Sequence, residues 1–159
     1  MHKTNFFWPL YFLFIMFFIL PGITVADETV CLSNAWISEA PPTATVLAGY
    51  VQIENKSEED VTLIKVVSPI FDKIEMHRSV INSDGMASME KQTELKIPTG
   101  KMVEFKPGSF HLMLFNPDKL LKSGQSVPLS FTFSNGQTFS IEAKVERHNS
   151  DQHEHHHHD

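Results

Sequence analysis

A single cysteine, Cys31, serves a chain of 159 residues, so no disulfide can form within it. Cys31 stands in ETVCLS, without the small residues of a lipoprotein cleavage box, and reads as a buried or incidental thiol. Basic residues are also scarce. The 13 Lys and Arg face 19 Asp and Glu, a formal charge of −6, which argues against nucleic acid as a partner and gives no attraction to anionic lipid. No catalytic triad, phosphate-binding loop or paired carboxylates can be found, so nothing marks the chain as an enzyme. Beyond the first residues there is no convincing helical period and no long hydrophobic run.

The exception is MHKTNFFWPLYFLFIMFFILPGITVA. A short basic start (His2, Lys3) leads into an apolar run that is broken at Pro21-Gly22 and closes on Thr24-Val25-Ala26. This is the pattern of a secretory signal peptide over residues 1–26, cleaved after Ala26. An uncleaved anchor is the other reading, but Phe6 to Leu20 is short for a full span. Loss of the leader removes Lys3 and no acidic residue, so the exported chain would carry 12 Lys and Arg against 19 Asp and Glu.

The rest of the chain reads as strands. From about Ala35 to Val145, short segments alternate apolar and polar residues between turn signals: LAGYVQIEN (47–55), VTLIKVVS (61–68), IFDKIEMHR (70–78), KMVEFKPG (101–108), FHLMLF (110–115), VPLSFTF (127–133) and QTFSIEAKVE (137–146). Asn135-Gly136 between the last two is a hairpin signal. Such spacing predicts one all-β domain over residues 27–147, a β-sandwich or small barrel. HNSDQHEHHHHD (148–159) has no apolar pattern and is expected to be a disordered tail.

Chemistry-bearing residues are few, which makes them legible. Between leader and tail there are two histidines, His77 and His111, and five methionines, Met76, Met86, Met89, Met102 and Met113. In KIEMHR, Ile74 and Met76 share one strand face while Glu75 and His77 share the other, so Met76 is expected in the core. In FHLMLF, the core face takes Phe110, Leu112 and Leu114, leaving His111, Met113 and Phe115 together. Met86 and Met89 lie in the polar GMASME. Any one of these residues alone reads as packing or as a hydrogen-bonded surface group. As a set, all expected near strand ends, they match a soft monovalent cation. Thioether sulfur and neutral imidazole favour Cu(I), whereas Ca²⁺ and Mg²⁺ want oxygen and structural zinc is expected to include thiolates.

These residues resemble the periplasmic copper chaperones of the PCu(A)C family, with the pattern H(M)-x10-M-x21-H-x-M. His77 would open the motif, Met89 would be its middle methionine, and His111 and Met113 would close it. The 21 residues between Met89 and His111 fit; the 11 between His77 and Met89 exceed the pattern by one. That extra residue in INSDGMAS brings Met86 into the choice, and the better-matched later half favours Met89. KPGSFHLML, LLKSGQSVPLSFTF and AWISEAPPTATVLAGYVQIEN are also family-like, so the resemblance covers nearly everything but the tail. It implies a cupredoxin-like Greek-key β-sandwich that carries Cu(I) in the periplasm. Its recipient would be cytochrome c oxidase, whose copper-bearing subunit holds a binuclear centre, often with a thiol-dependent partner chaperone. Such proteins are carriers and not enzymes.

Three other readings compete. A blue-copper protein needs a cysteine beside its histidines, and Cys31 lies far upstream of both. A copper-storage or resistance protein would share the site without delivery. A metal-free interaction module would make the His/Met set coincidental. In the tail, His148, His153, His155, His156, His157 and His158 stand among carboxylates, a donor set that suits Cu(II), Ni(II) or Zn(II) better than Cu(I); a purification tag is the bland reading, but a run of four histidines set off by Glu154 favours a native tail that takes Cu(II).

Overall fold

Alternation along VLAGYVQIEN builds a strand whose even and odd residues have opposite fates. In β2 (Val46–Asn55), Leu47, Gly49, Val51, Ile53 and Asn55 are buried, and the residues between them are partly exposed. The computed structural model describes residues 29–147 and consists of ten strands with no helix among the described residues. The expected signal peptide (1–26) and His-rich tail (148–159) lie outside the described residues.

The other strands are β1 (Val30–Ser38), β3 (Val61–Val67), β4 (Phe71–Ile81), β5 (Ala87–Gln92), β6 (Leu95–Ile97), β7 (Met102–Phe105), β8 (Phe110–Pro117), β9 (Ser126–Phe133) and β10 (Thr138–Glu146). They form one hydrogen-bonded sheet in the order β5-β4-β8-β7-β2-β1-β10-β9-β3-β6, with β8 also pairing β2. Most pairs are antiparallel; β1–β10 and β7–β8 are parallel. The sheet closes over a single core. Leu112 and Leu114 of β8, Val51 and Ile53 of β2, Phe131 and Phe133 of β9 and Ala143 of β10 are all fully buried in one cluster. This is the all-β architecture anticipated from the segment pattern.

Local chemistry explains the turns. Phe133 N–H donates to Gln137 C=O (2.9 Å) and Gly136 N–H to Phe133 C=O (2.9 Å), with Gly136 at φ +84°. Only a residue tolerant of positive φ closes this three-residue loop without strain, so the Asn-Gly signal holds. Asn55, buried at the end of β2, organises the loop beyond it. Its amide donates to the carbonyls of Glu59 (2.8 Å) and Ile97 (3.0 Å), and its Oδ1 accepts from Ser57 N–H (3.0 Å) and hydroxyl (2.6 Å).

Four strands escape the pattern of alternation, β3 among them, where the register shifts between Leu63 and Lys65. In β1 the register shifts between Ser33 and Trp36, and Asn34 sits at φ +50°; a bulge puts two residues opposite one and scrambles the period. β5 is a sheet edge, exposed along ASMEK. β6 has only three residues.

Candidate metal centre

Three neighbouring strands, β5, β4 and β8, place the sequence-predicted residues on one outer face. The β4–β8 register sets His77 directly opposite His111 and Glu75 opposite Met113. The β4–β5 register sets His77 opposite Lys91 and Ser79 opposite Met89. Directly paired residues share a face, and diagonal neighbours lie roughly 7–8 Å apart, within reach of long side chains. Met113 and Met89 are both diagonal to His77, on its two flanks. His77, Met89, His111 and Met113 are therefore brought to one patch; His111, second in β8, lies near a strand end as expected, whereas His77 lies well inside β4.

Met86 goes elsewhere. It follows the turn after β4, where its N–H donates to Asn82 Oδ1 (2.8 Å) and its C=O accepts from Asn82 N–H (2.9 Å). Asn82 has the parity of Met76, not of His77, so the ladder gives the His77 face to Met89. Met76 itself is buried in the core cluster, as its strand position requires. Met89 is 63% exposed.

The two imidazoles differ in their surroundings. Their ring centroids are 5.9 Å apart, with planes tilted by 36°. β8 is flanked by β4 on one side and by β7 and β2 on the other, and His111 is only 9% exposed although it faces outward. Its Nδ1 lies 3.1 Å from the carbonyl of Ser109. His77 Nε2 lies 3.0 Å from Glu75 Oε2. His77 Nδ1 is buried and has no hydrogen-bond partner, the only such side-chain atom among the described residues.

Glu75, which sequence reasoning placed on this face without a role, anchors a charged cluster. Its Oε1 meets Lys91 Nζ at 2.7 Å and Lys73 Nζ at 3.0 Å, and its side chain is 13% exposed. Hydrogen bonds from Lys91, then His77 and Lys73, hold its carboxyl down from 4.5 to about 2, so it is ionised and can only accept. Lys73 also lies over the Phe115 ring, 4.4 Å from its centroid. The E-x-H spacing of Glu75 and His77 signalled the contact; the lysine across the ladder at Lys91 had no such signal.

Among the described residues no group of three or more His, Cys, Asp or Glu side chains is poised to hold a metal. What this face offers is two imidazoles with thioethers on either flank, a soft donor set.

A mostly antiparallel sheet closed on one core, with His and Met positions sharing a face on adjacent strands, defines the class: the chain has the fold of a PCuAC domain. The copper-bound PCuAC domain of PmoF2 aligns with a TM-score of 0.64 at 19% identity, over 76% of this chain and 94% of that one. Cu(I)-bound DR1885 of Deinococcus radiodurans aligns at 0.58 with 26% identity, over 72% and 76%. The family model described as "Putative lipoprotein LpqE-like" matches residues 30–145, and the chain belongs to that family. The Leifsonia xyli subsp. xyli protein described as "Putative lipoprotein Lxx21020" is 24% identical over 118 residues, which is 74% of this chain and 70% of that protein. Rickettsia prowazekii RP573 is 30% identical over 99 residues; the match spans 62% of this chain and about half, 54%, of its relative.

Proposed function

We propose that this protein is an exported copper carrier that holds one Cu(I) between His77, Met89, His111 and Met113. The observation that carries the reading is His77 Nδ1, a buried ring nitrogen without a partner, beside a second imidazole and between two thioether-bearing positions. A buried polar atom left unpaired costs roughly 1–3 kcal/mol, and a bound cation would remove that cost. The copper bound by the PmoF2 domain and by DR1885 and the lipoprotein description of the family support a copper-handling role at the cell envelope, here read as periplasmic.

Neutral thioethers and imidazoles add no charge to Cu(I), so binding is tight enough to carry and loose enough to pass on. The recipient proposed is the copper-bearing subunit of cytochrome c oxidase, with a thiol-dependent chaperone as co-worker. The protein acts as a carrier and catalyses no reaction. The tail histidines His148, His153 and His155 to His158 are proposed to take Cu(II) until it is reduced.

The test is anaerobic competition for Cu(I) with a chromophoric chelator. One equivalent should be withdrawn by the native chain and none by His77→Ala/His111→Ala. Equal uptake by both would refute the site. Transfer to an apo oxidase fragment, followed by the copper chromophore that forms, distinguishes delivery from storage.

A further inference from the structure

A neutral imidazole has one N–H and one lone pair, and the group on one nitrogen decides what the other can do. His111 Nδ1 faces the Ser109 carbonyl at 3.1 Å. A carbonyl only accepts, so Nδ1 carries the proton and Nε2 the lone pair. His77 is reversed. Its Nε2 faces the Glu75 carboxylate at 3.0 Å, so Nε2 carries the proton and the lone pair falls on the buried, unpartnered Nδ1.

We infer that Glu75, held by Lys91 and Lys73, is a positioning residue that fixes His77 as the Nε2–H tautomer, so that Cu(I) is taken by His77 Nδ1 and His111 Nε2. The inference rests on the copper reading and adds to it which atoms bind and what selects them.

Three observations converge on Glu75. Its two oxygens divide the work: Oε2 meets His77 and Oε1 meets both lysines. The lysines come from two sides, Lys73 two residues back on β4 and Lys91 across the ladder on β5, so the carboxylate is fixed in direction. Lys73 is in turn settled over Phe115. The alternative tautomer, Nδ1–H, would set the Nε2 lone pair against the carboxylate and bury a donor with nothing to receive it. An imidazole that donates to a carboxylate is also a more basic ligand at its other nitrogen, and loss of such a partner typically weakens metal binding about 10–100-fold.

The experiment has an arm without metal. Long-range ¹H–¹⁵N correlation on the ¹⁵N-labelled full chain in its metal-free form reads the tautomer of each ring, with His77 identified by its absence from His77→Asn. The native protein should show an unprotonated Nδ1 at His77 and an unprotonated Nε2 at His111. On anaerobic addition of Cu(I), those two nitrogens should shift most. In Glu75→Ala the His77 tautomers should mix and Cu(I) affinity should fall about 10–100-fold. Glu75→Gln keeps the size and an oxygen that accepts from Nε2, so it should retain more of both, and thermal melting reports whether either variant is folded.

A native His77 protonated at Nδ1 would overturn the inference, and so would an unchanged tautomer and affinity in both folded variants while the native chain binds Cu(I). Failure of the native chain to bind Cu(I) at all would remove the copper reading and this inference with it. That result differs from the previous one, in which only the inference falls.

Discussion

Gly49→Ala is a sharp probe of how the core supports the metal face. Gly49 lies on β2 between Ile37 of β1 and Leu112 of β8, with its missing side chain aimed into the core. A Cβ built there would stand 2.8 Å from Leu114 Cδ1 and 3.4 Å from Leu112 Cβ. The first contact is too close to persist, and Leu114 is fully buried, so its methyl must move into occupied space. Overpacking of this kind costs roughly 1–3 kcal/mol. Against it stands a gain of about 0.4–1 kcal/mol, because alanine narrows the unfolded ensemble. The net is a loss of up to about 2.6 kcal/mol, or as much as roughly 10 °C in melting temperature for a domain of this size. Leu114→Val removes the δ-methyl that collides. In that background the added methyl should cost almost nothing, a coupling of about 1–2 kcal/mol in a double-mutant cycle read by urea unfolding. A Gly49→Ala protein that melts higher than the native chain, or a cost that persists undiminished with Leu114→Val, would refute the packing argument.

Further outcomes are expected elsewhere. Met113→Leu keeps volume and apolar character, so the melting point should hold while Cu(I) affinity drops; Met76→Leu, on the buried face, should leave Cu(I) binding intact, both read by chelator competition. Asn55→Ala takes the side-chain partner from Ser57 N–H and the Ile97 carbonyl, while the Ser57 hydroxyl keeps the Glu59 carbonyl at 2.8 Å, and should cost about 1–3 kcal/mol in urea unfolding. Asp60 accepts from Lys96 (2.9 Å) and from Thr99 N–H (3.0 Å), and these bonds, Lys96 first, hold its carboxyl below 3.8. Its ionised form therefore favours folding above that value and loses the advantage as pH falls through the lowered one, so the melting-point deficit of Asp60→Asn should be steady near neutrality and shrink below pH 3.8. Deletion of residues 148–159 should abolish most Cu(II) binding and spare Cu(I); loss of both in separate titrations would refute the two-site view.

Period-two alternation showed the strands that are half buried, because burial on one face is what writes such a pattern. β2, β8 and β9 were legible for that reason. β5 was not: a sheet edge has no face to bury along ASMEK, so its residues carry no period, although Met89 comes from it. The His111–Met113 pairing on one face could be read from FHLMLF alone, and the long spacing to Met89 could be matched to a family. Which residue of β4 stands opposite which of β8 could not, since register is set by the whole ladder. The lysine that holds Glu75 from across the sheet, and the ring nitrogen left alone beside it, follow from that register and have no local trace.

The edge position of β5 has a kinetic consequence. Three of the proposed copper ligands stand on β4 and β8, which are paired on both sides, while Met89 hangs on a strand paired on one side only. Edge hairpins open at far lower free energy than central strands. Each such opening would withdraw one thioether and leave the cation three-coordinate, with its vacant side turned to solvent and to any acceptor that can offer a sulfur. If these residues carry copper as proposed, release would be timed by the breathing of a hairpin and not by unfolding of the domain. A sheet edge, ordinarily a hazard to be masked, would become the hinge of a hand-off.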